Sequence, residues 1–280
     1  MADYASILGG NSTDTLPGGS VGLDADAYYR IEAANVFVDR FDSTGDSVVD
    51  AGGNPNPVRV ELGSGTDTVY GGGGNDVVWT GAGDDVIRAG GGRNFVAGAS
   101  GDDSIESGSG NDSLLGGSGG DTLLAGAGND YTAGGDGADL LRGNAGNDAL
   151  LGGSGDDSLY GQNGNDLLLG GSGDDLLMGG AGFDILLGGS GGDVFAFDTG
   201  FGRDVISDFG PGDRINLAAD LNGTGIASAA DLVANGMVTG GTTAAGTKFT
   251  LITVGADTIR LERVDHTDFI NQIGTWVKVG

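Results

Sequence analysis

The chain has no cysteine, a single histidine, and only twelve lysines and arginines among 280 residues. Without cysteine it forms no disulfide and no thiolate metal site. With His266 alone, a paired-histidine zinc site of the protease kind is excluded. The basic residues are scattered against forty Asp and Glu, for a net charge of -28. Nothing here neutralises phosphates, so nucleic acid is not an expected partner. No apolar run approaches the roughly 18 residues of a membrane span. The segment from Met1 to Leu8 lacks the basic and apolar regions of a cleaved export leader. No Gly-x-Ser-x-Gly nucleophile turn is present, and the abundant Gly-x-Gly text belongs to a repeat rather than to a nucleotide loop.

What the chain has in excess is glycine, 62 residues of it, and aspartate in strict time. Asp67, Asp76, Asp85, Asp103, Asp112, Asp121, Asp130, Asp139, Asp148, Asp157, Asp166, Asp175, Asp184 and Asp193 recur every nine residues. Asn94 stands on the missed beat. Fifteen units of the form Gly-Gly-x-Gly-x-Asp-x-apolar-x run from Leu62 to Ala196 without an insertion, and Gly170 to Met178 is a clean copy. Glycine at this density without a period argues for disorder, but a strict period argues for a solenoid.

Each position has a reading. Glycines at positions one, two and four permit a positive φ and let carbonyls crowd a cation. Aspartate at six is a hard anionic oxygen ligand, as calcium prefers. Position eight points inward, from Val69 and Val78 to Leu177 and Leu186, with Thr132 as the polar exception. Two units make a turn of eighteen residues, so that two parallel sheets form with loops at both edges. One loop cannot supply the about six to eight oxygens of a calcium shell, so each ion is shared with the loop two repeats away. That pairing predicts about thirteen inter-loop sites, of which about eleven have two aspartates because Asn94 enters the other two.

The two edges differ. Even-numbered repeats carry Asn before the aspartate position at Asn75, Asn111, Asn129, Asn147 and Asn165, and odd-numbered repeats favour Ser at position three. The outward positions of the even sheet, among them Val77, Trp79, Phe95, Leu115, Tyr131, Leu151, Leu167, Leu169, Ile185 and Leu187, include no charge. The odd sheet shows Arg88, Glu106 and Arg142 outward. An apolar face of that length exceeds what a monomer usually leaves bare, so a cover is expected: another copy of the protein, the terminal segments of the chain itself, or a surface ligand.

These repeats resemble the RTX family, the haemolysin-type calcium-binding β-rolls. The resemblance implies an all-β fold, a parallel β-roll solenoid of nonapeptide repeats with calcium in its loops. It also implies export from a Gram-negative bacterium by type I secretion machinery, reading an uncleaved C-terminal signal, and folding on calcium outside the cell. Residues 1–61 are then an N-terminal cap or anchor, 62–196 the roll, and 197–280 a C-terminal β cap and secretion signal. The text Gly192 to Phe197, Gly202 to Phe209 and Gly212 to Leu217 resembles the family's usual ending, with Asp204 and Asp208 either holding a last calcium or lying plainly on the surface.

Around the roll, Val36 to Val38 and Ser47 to Val49 read as strands, and Gly9 to Leu16 as a decayed repeat. Ser228 to Asn235 reads as a short helix, and Lys248 to Val254 with Asp257 to Glu262 as a hairpin. No catalytic constellation emerges. The expected function is that of a secreted calcium-binding protein that self-assembles as a surface-layer, fibre or matrix component. A membrane-acting or polysaccharide-binding effector is the alternative, with Tyr70, Trp79 and Tyr160 as outward rings able to stack on sugars.

Overall fold

The computed structural model describes residues 45–219 and 221–280 in full, and in residues 1–44 the strands Tyr4–Ile7, Ala27–Ile31 and Val36–Asp39 as backbone. The proposed decayed repeat at Gly9 to Leu16 lies outside the described residues. Two compact units divide the chain, residues 1–141 and 142–280.

In residues 1–141 every strand pair is parallel. One sheet runs Tyr4–Ile7, Ala27–Ile31, Ser47–Asp50, Thr68–Gly72, Val86–Gly90, Ser104–Ser109 and Thr122–Ala127; we call it the odd sheet. The other, the even sheet, runs Val36–Asp39, Val58–Glu61, Val77–Ala82, Phe95–Ser100, Ser113–Ser118 and Tyr131–Asp136. From Ala27–Ile31 onward successive strands alternate between the sheets, so the chain coils as it advances. Partners inside the repeats are eighteen residues apart, as in Ser104 with Thr122 and Leu114 with Thr132. The two-repeat turn read from the sequence is therefore the geometry of the coil. Before the repeats the turns are longer: Ala27 pairs with Ser47 and Val36 with Val58.

Residues 142–280 are built the same way, with Leu159 beside Leu177 and Leu168 beside Leu186 at the same spacing. Parallel rungs continue past the last repeat. Val194–Phe197, Arg203–Ile206 and Arg214–Leu217 each add a strand, and Ile185 pairs with Val205 across a turn lengthened to twenty residues. The chain then forms the antiparallel strands Lys248–Val254 and Asp257–Glu262, in the hairpin the sequence predicts, and returns with Val277–Val279 beside Arg214–Leu217. Helix α1, Ala229–Ala234, begins after Ser228 and ends at Asn235, where the sequence places it.

Helix α2, His266–Trp276, was not predicted. Asp265 caps it by accepting the Thr267 amide proton at 2.8 Å, and Phe269 and Ile273, one turn apart, face inward. Phe209 packs between Phe195 (6.1 Å) on one side and Phe269 (6.5 Å) and Trp276 (5.6 Å) on the other, so aromatic rings close the core of this unit.

Each repeat turns three residues inward rather than one. The apolar residue at position eight is fully buried throughout, from Val69 and Ile87 to Leu177 and Leu186. Burying each such leucine contributes about 1.5–3 kcal/mol. Position one, the start of the next unit, is also buried, and is always small within the repeats after Leu62: Gly71, Thr80, Ala89, Ser107 and Ala125 are examples. Position six, the aspartate, is the third.

Thr132 occupies an apolar slot with its Oγ1 buried and without a hydrogen-bond partner. Thr132→Val keeps the shape and removes that cost, so unfolding by denaturant in calcium should show a gain of about 1–2 kcal/mol.

Candidate metal centre

All fourteen predicted aspartates are buried, none more than 3 % exposed. A carboxylate enters the interior only with compensation, and half of it is visible. Within each unit the Oδ1 of a ladder aspartate accepts the backbone N–H of the residue one coil earlier: Asp85 from Asp67 at 2.7 Å, Asp103 from Asp85 at 2.9 Å, Asp121 from Asp103 at 2.8 Å. On the even edge Asp130 accepts from Asp112 at 2.8 Å. In residues 142–280 Asp166 accepts from Asp148, Asp175 from Asp157 and Asp184 from Asp166, each at 2.8 Å. The same-edge pairing two repeats apart is thus present as a continuous inner ladder within each unit.

In six of them the other half is not compensated by the protein. In Asp76, Asp103, Asp121, Asp166, Asp175 and Asp193 the Oδ2 is buried and meets no donor. That oxygen points at the small residue of position one. A Cβ added to Gly170 would lie 2.3 Å from Asp175 Oδ2 and 2.6 Å from the Gly188 carbonyl oxygen. Gly152 and Gly161 face their own aspartate and the next coil's carbonyl in the same way. Where position one is glycine it serves this close approach and not a positive φ, which corrects the expectation for that position. The left-handed residues are positions two and four, such as Gly171 (φ 119°) and Gly173 (φ 133°). Ala99, Asn144 and Gln162 adopt that conformation at position two without being glycine.

Bare carboxylate oxygens beside backbone carbonyls, with no nitrogen or sulfur ligand, suit a hard cation. Among the described residues no three carboxylate or histidine side chains converge, so carbonyls must complete any shell. Calcium, with its tolerance of mixed oxygen ligands, fits that donor set.

Burial pushes the carboxyls up: Asp67, Asp76, Asp121 and Asp193 to about 6, and Asp103 and Asp166 to about 7. Removal from water is the first cause in each, and neighbouring carboxylates add to it at every one of these but Asp76.

The ladders run beyond the predicted set. Asp67 accepts from Ser47 and Asp76 from Val58, at 2.6 and 2.8 Å. At the far end Asp204 accepts from Asp184 and Asp213 from Asp193, each at 3.0 Å. Asp204 is buried, and its carboxyl is pushed up to about 8 by burial and then by the charge of Asp184. Asp208 instead accepts the amide protons of Gly188 and Gly189. Asp213 was missed because the last turns gain two residues and break the nine-residue count; its signal is the Gly-Asp-x-apolar text at Gly212 to Ile215.

Asn94 shows what the missing charge does. Its Oδ1 accepts from Asp76 at 2.9 Å and its amide N–H donates to Asp112 at 2.7 Å, so the ladder is unbroken. Its Nδ2 donates to the Gly92 carbonyl at 3.4 Å, placing a donor where other repeats present an oxygen.

A parallel coil whose edges are lined by buried, half-satisfied carboxylates defines a cation-dependent β-roll. The model of the RTX calcium-binding nonapeptide repeat matches four times, over residues 62–96, 97–132, 133–168 and 169–206. These matches span more than half of the chain, which belongs to that family, and its repeats bind calcium. A search of curated proteins finds no match. Among solved structures, that of the extracellular lipase LipA from Serratia marcescens is similar at 19% identity, with a TM-score of 0.26. The similarity covers 79% of this chain and 43% of the lipase, and at that score it carries no argument.

Two predictions follow from these carboxylates. In chelator, the folded coil holds protons that the unfolded chain releases near the ordinary value of 3.8, so its stability falls as pH rises from about 4 to about 7. In calcium the slope reverses, because protons displace the ion. Circular dichroism melts across that range in both conditions check the crossing. Separately, Asn94→Asp replaces the amide donor with a carboxylate and should raise calcium stoichiometry or affinity in isothermal titration, with no loss of the folded state in calcium.

Proposed function

We propose that the protein is a secreted calcium-binding component that folds on calcium outside a Gram-negative cell and assembles with copies of itself into a surface layer, fibre or matrix. The observation that carries the calcium half is the row of buried carboxylate oxygens without donors, which makes the coil costly to close until a cation arrives. The fourteen predicted aspartates, extended by Asp204 and Asp213, are the proposed ligands, with about eleven to thirteen ions in the repeats. Export by type I machinery through the C-terminal segment accords with a chain too acidic to compact in a calcium-poor cytosol. No described helix is long and apolar enough to cross a membrane.

The assembly half rests on the even sheet. In residues 142–280 Leu151, Leu169 and Leu187 stand in register on neighbouring strands, as do Ala149, Leu167 and Ile185. Leu167 is 38 % and Ile185 37 % exposed. In residues 1–141 Val77, Phe95 and Tyr131 lie along the corresponding face. The C-terminal helix α2 packs on strands of its own unit, and Leu167 and Ile185 stay exposed while Leu151, Leu169 and Leu187 are half-buried.

The glycan alternative has less support. Arg59 lies over Trp79 at 4.8 Å, Arg88 over Tyr70 at 5.9 Å and Arg142 over Tyr160 at 5.3 Å, so each outward ring already has a cation on one face. A non-catalytic role is supported by the aspartate pairs: Asp157 is buried in the ladder and Asp156 is exposed, so the two do not flank a common bond.

Electron microscopy and sedimentation of the calcium-loaded protein test assembly. Ordered polymers should form in calcium, dissolve in chelator, and be lost in Leu169→Lys/Leu187→Lys with the calcium-bound circular dichroism unchanged. A monodisperse monomer in calcium at all concentrations overturns the proposal.

A further inference from the structure

Where the residue before a ladder aspartate, position five, is Asp or Asn, it adds to a second ladder of opposite sense. Here the side chain of the earlier coil accepts the backbone N–H of the later one. On the odd edge Asp84 accepts from Asp102 at 2.9 Å and Asp102 from Gly120 at 2.7 Å. In residues 142–280 Asp156 accepts from Asp174 at 2.8 Å and Asp174 from Gly192 at 2.7 Å. On the even edge the same bond is made by asparagine: Asn75 accepts from Arg93 at 2.8 Å, Asn147 from Asn165 at 2.8 Å and Asn165 from Phe183 at 2.9 Å.

The bond needs one oxygen, and an amide supplies it as well as a carboxylate does. The charge on the odd edge is therefore surplus to the fold. Over positions three to six, the eight odd loops carry thirteen carboxylates, whereas the seven even loops carry six and one arginine. Those outer charges reach the inner row. Asp84 stands directly before Asp85, Asp102 before Asp103, Asp156 before Asp157 and Asp174 before Asp175, each adding a negative charge beside the ladder. On the even edge the neutral Asn75 and Asn111 stand before Asp76 and Asp112. What repels a carboxylate attracts a divalent cation, and oxygen-ligand sites set calcium affinity by the number of charges around the ion.

We infer that Asp84, Asp102, Asp156 and Asp174 set calcium affinity by edge, so that the odd-edge loops load before the even-edge loops. The inference rests on the ladder aspartates being calcium ligands, and it adds an order to their filling. Binding therefore falls into two classes at least about tenfold apart in affinity. One edge closes first, and the second edge follows at higher calcium.

The test is a calcium titration of the full chain, read by isothermal calorimetry and by hydrogen exchange resolved to individual loops. Odd loops should gain protection at the lower calcium concentration. Asp84→Asn/Asp102→Asn/Asp156→Asn/Asp174→Asn keeps the outer bonds in the form the even edge already uses, so the fold at saturating calcium should stand. In it the tighter class should weaken at least about tenfold and merge with the weaker. The reciprocal Asn75→Asp/Asn111→Asp/Asn147→Asp/Asn165→Asp should tighten the weaker class. Odd and even loops protected together in the parent chain, or an isotherm unmoved by the asparagine variant, overturns the inference while leaving calcium binding intact. Absence of calcium uptake by the parent chain overturns the ligand reading beneath it.

Discussion

The coil depends on a carboxylate held inside it with one oxygen bonded and the other bare. The bonded oxygen fixes register, because Oδ1 takes a backbone N–H one coil away. The bare oxygen sets the condition for folding, because burying it without a partner is unfavourable by about 1–3 kcal/mol or more at each position. Repeated along two edges, that cost is of the same order as what a thin core returns. The core is one apolar side chain per nonapeptide, flanked by small residues. The glycines that make room for the carboxylates add a further entropic cost, since they lose more freedom on ordering than other residues do. A cation that satisfies the bare oxygens offsets that cost, which is the physical basis of the proposed folding on calcium.

Much of this was legible because the repeat is strict. A nine-residue beat with an apolar residue in fixed phase admits a solenoid and little else, and the alternation of Asn with Asp or Ser betrayed the two-repeat turn. The inward side of the aspartate could not be read so directly. Sequence suggests a loop ligand facing a solvent-lined ion, whereas Asp103 or Asp166 is a core residue by burial. Position one was misassigned for the same reason: the clash that excludes a Cβ at Gly170 comes from Asp175, five residues on, and from Gly188 in the next coil. Where the count breaks, the reading lost accuracy. Asp213 sits twenty residues after Asp193 and fell out of the series. Helix α2 escaped because His266–Trp276 holds Thr, Asn and Gly, and its evidence was the Asp265 cap and the Phe269–Ile273 pair rather than a long amphipathic period.

The two ladders oppose each other in direction. The inner one binds a coil to the side chain of its successor, and the outer one, where position five is Asp or Asn, binds a coil to the side chain of its predecessor. Such a coil is gripped from both neighbours by side chains that differ in chemistry: a carboxylate inside, and an amide or carboxylate outside. Because the outer grip tolerates either group, charge can be moved along an edge without altering the backbone. The inner grip tolerates the change only at Asn94, and there a donor takes the place of an oxygen.

The eighteen-residue register has one more consequence, for how such a chain can change length. Adding or removing a block of eighteen residues would leave every rung beside a like rung and both margins chemically intact. Adding or removing nine would transpose the margins downstream, setting asparagine-bearing loops above aspartate-bearing ones and leucine-faced strands among charged ones. Growth by whole turns is thus nearly free of structural penalty and growth by half turns is not. A gene that expands by duplication in this family of coils is held to even steps.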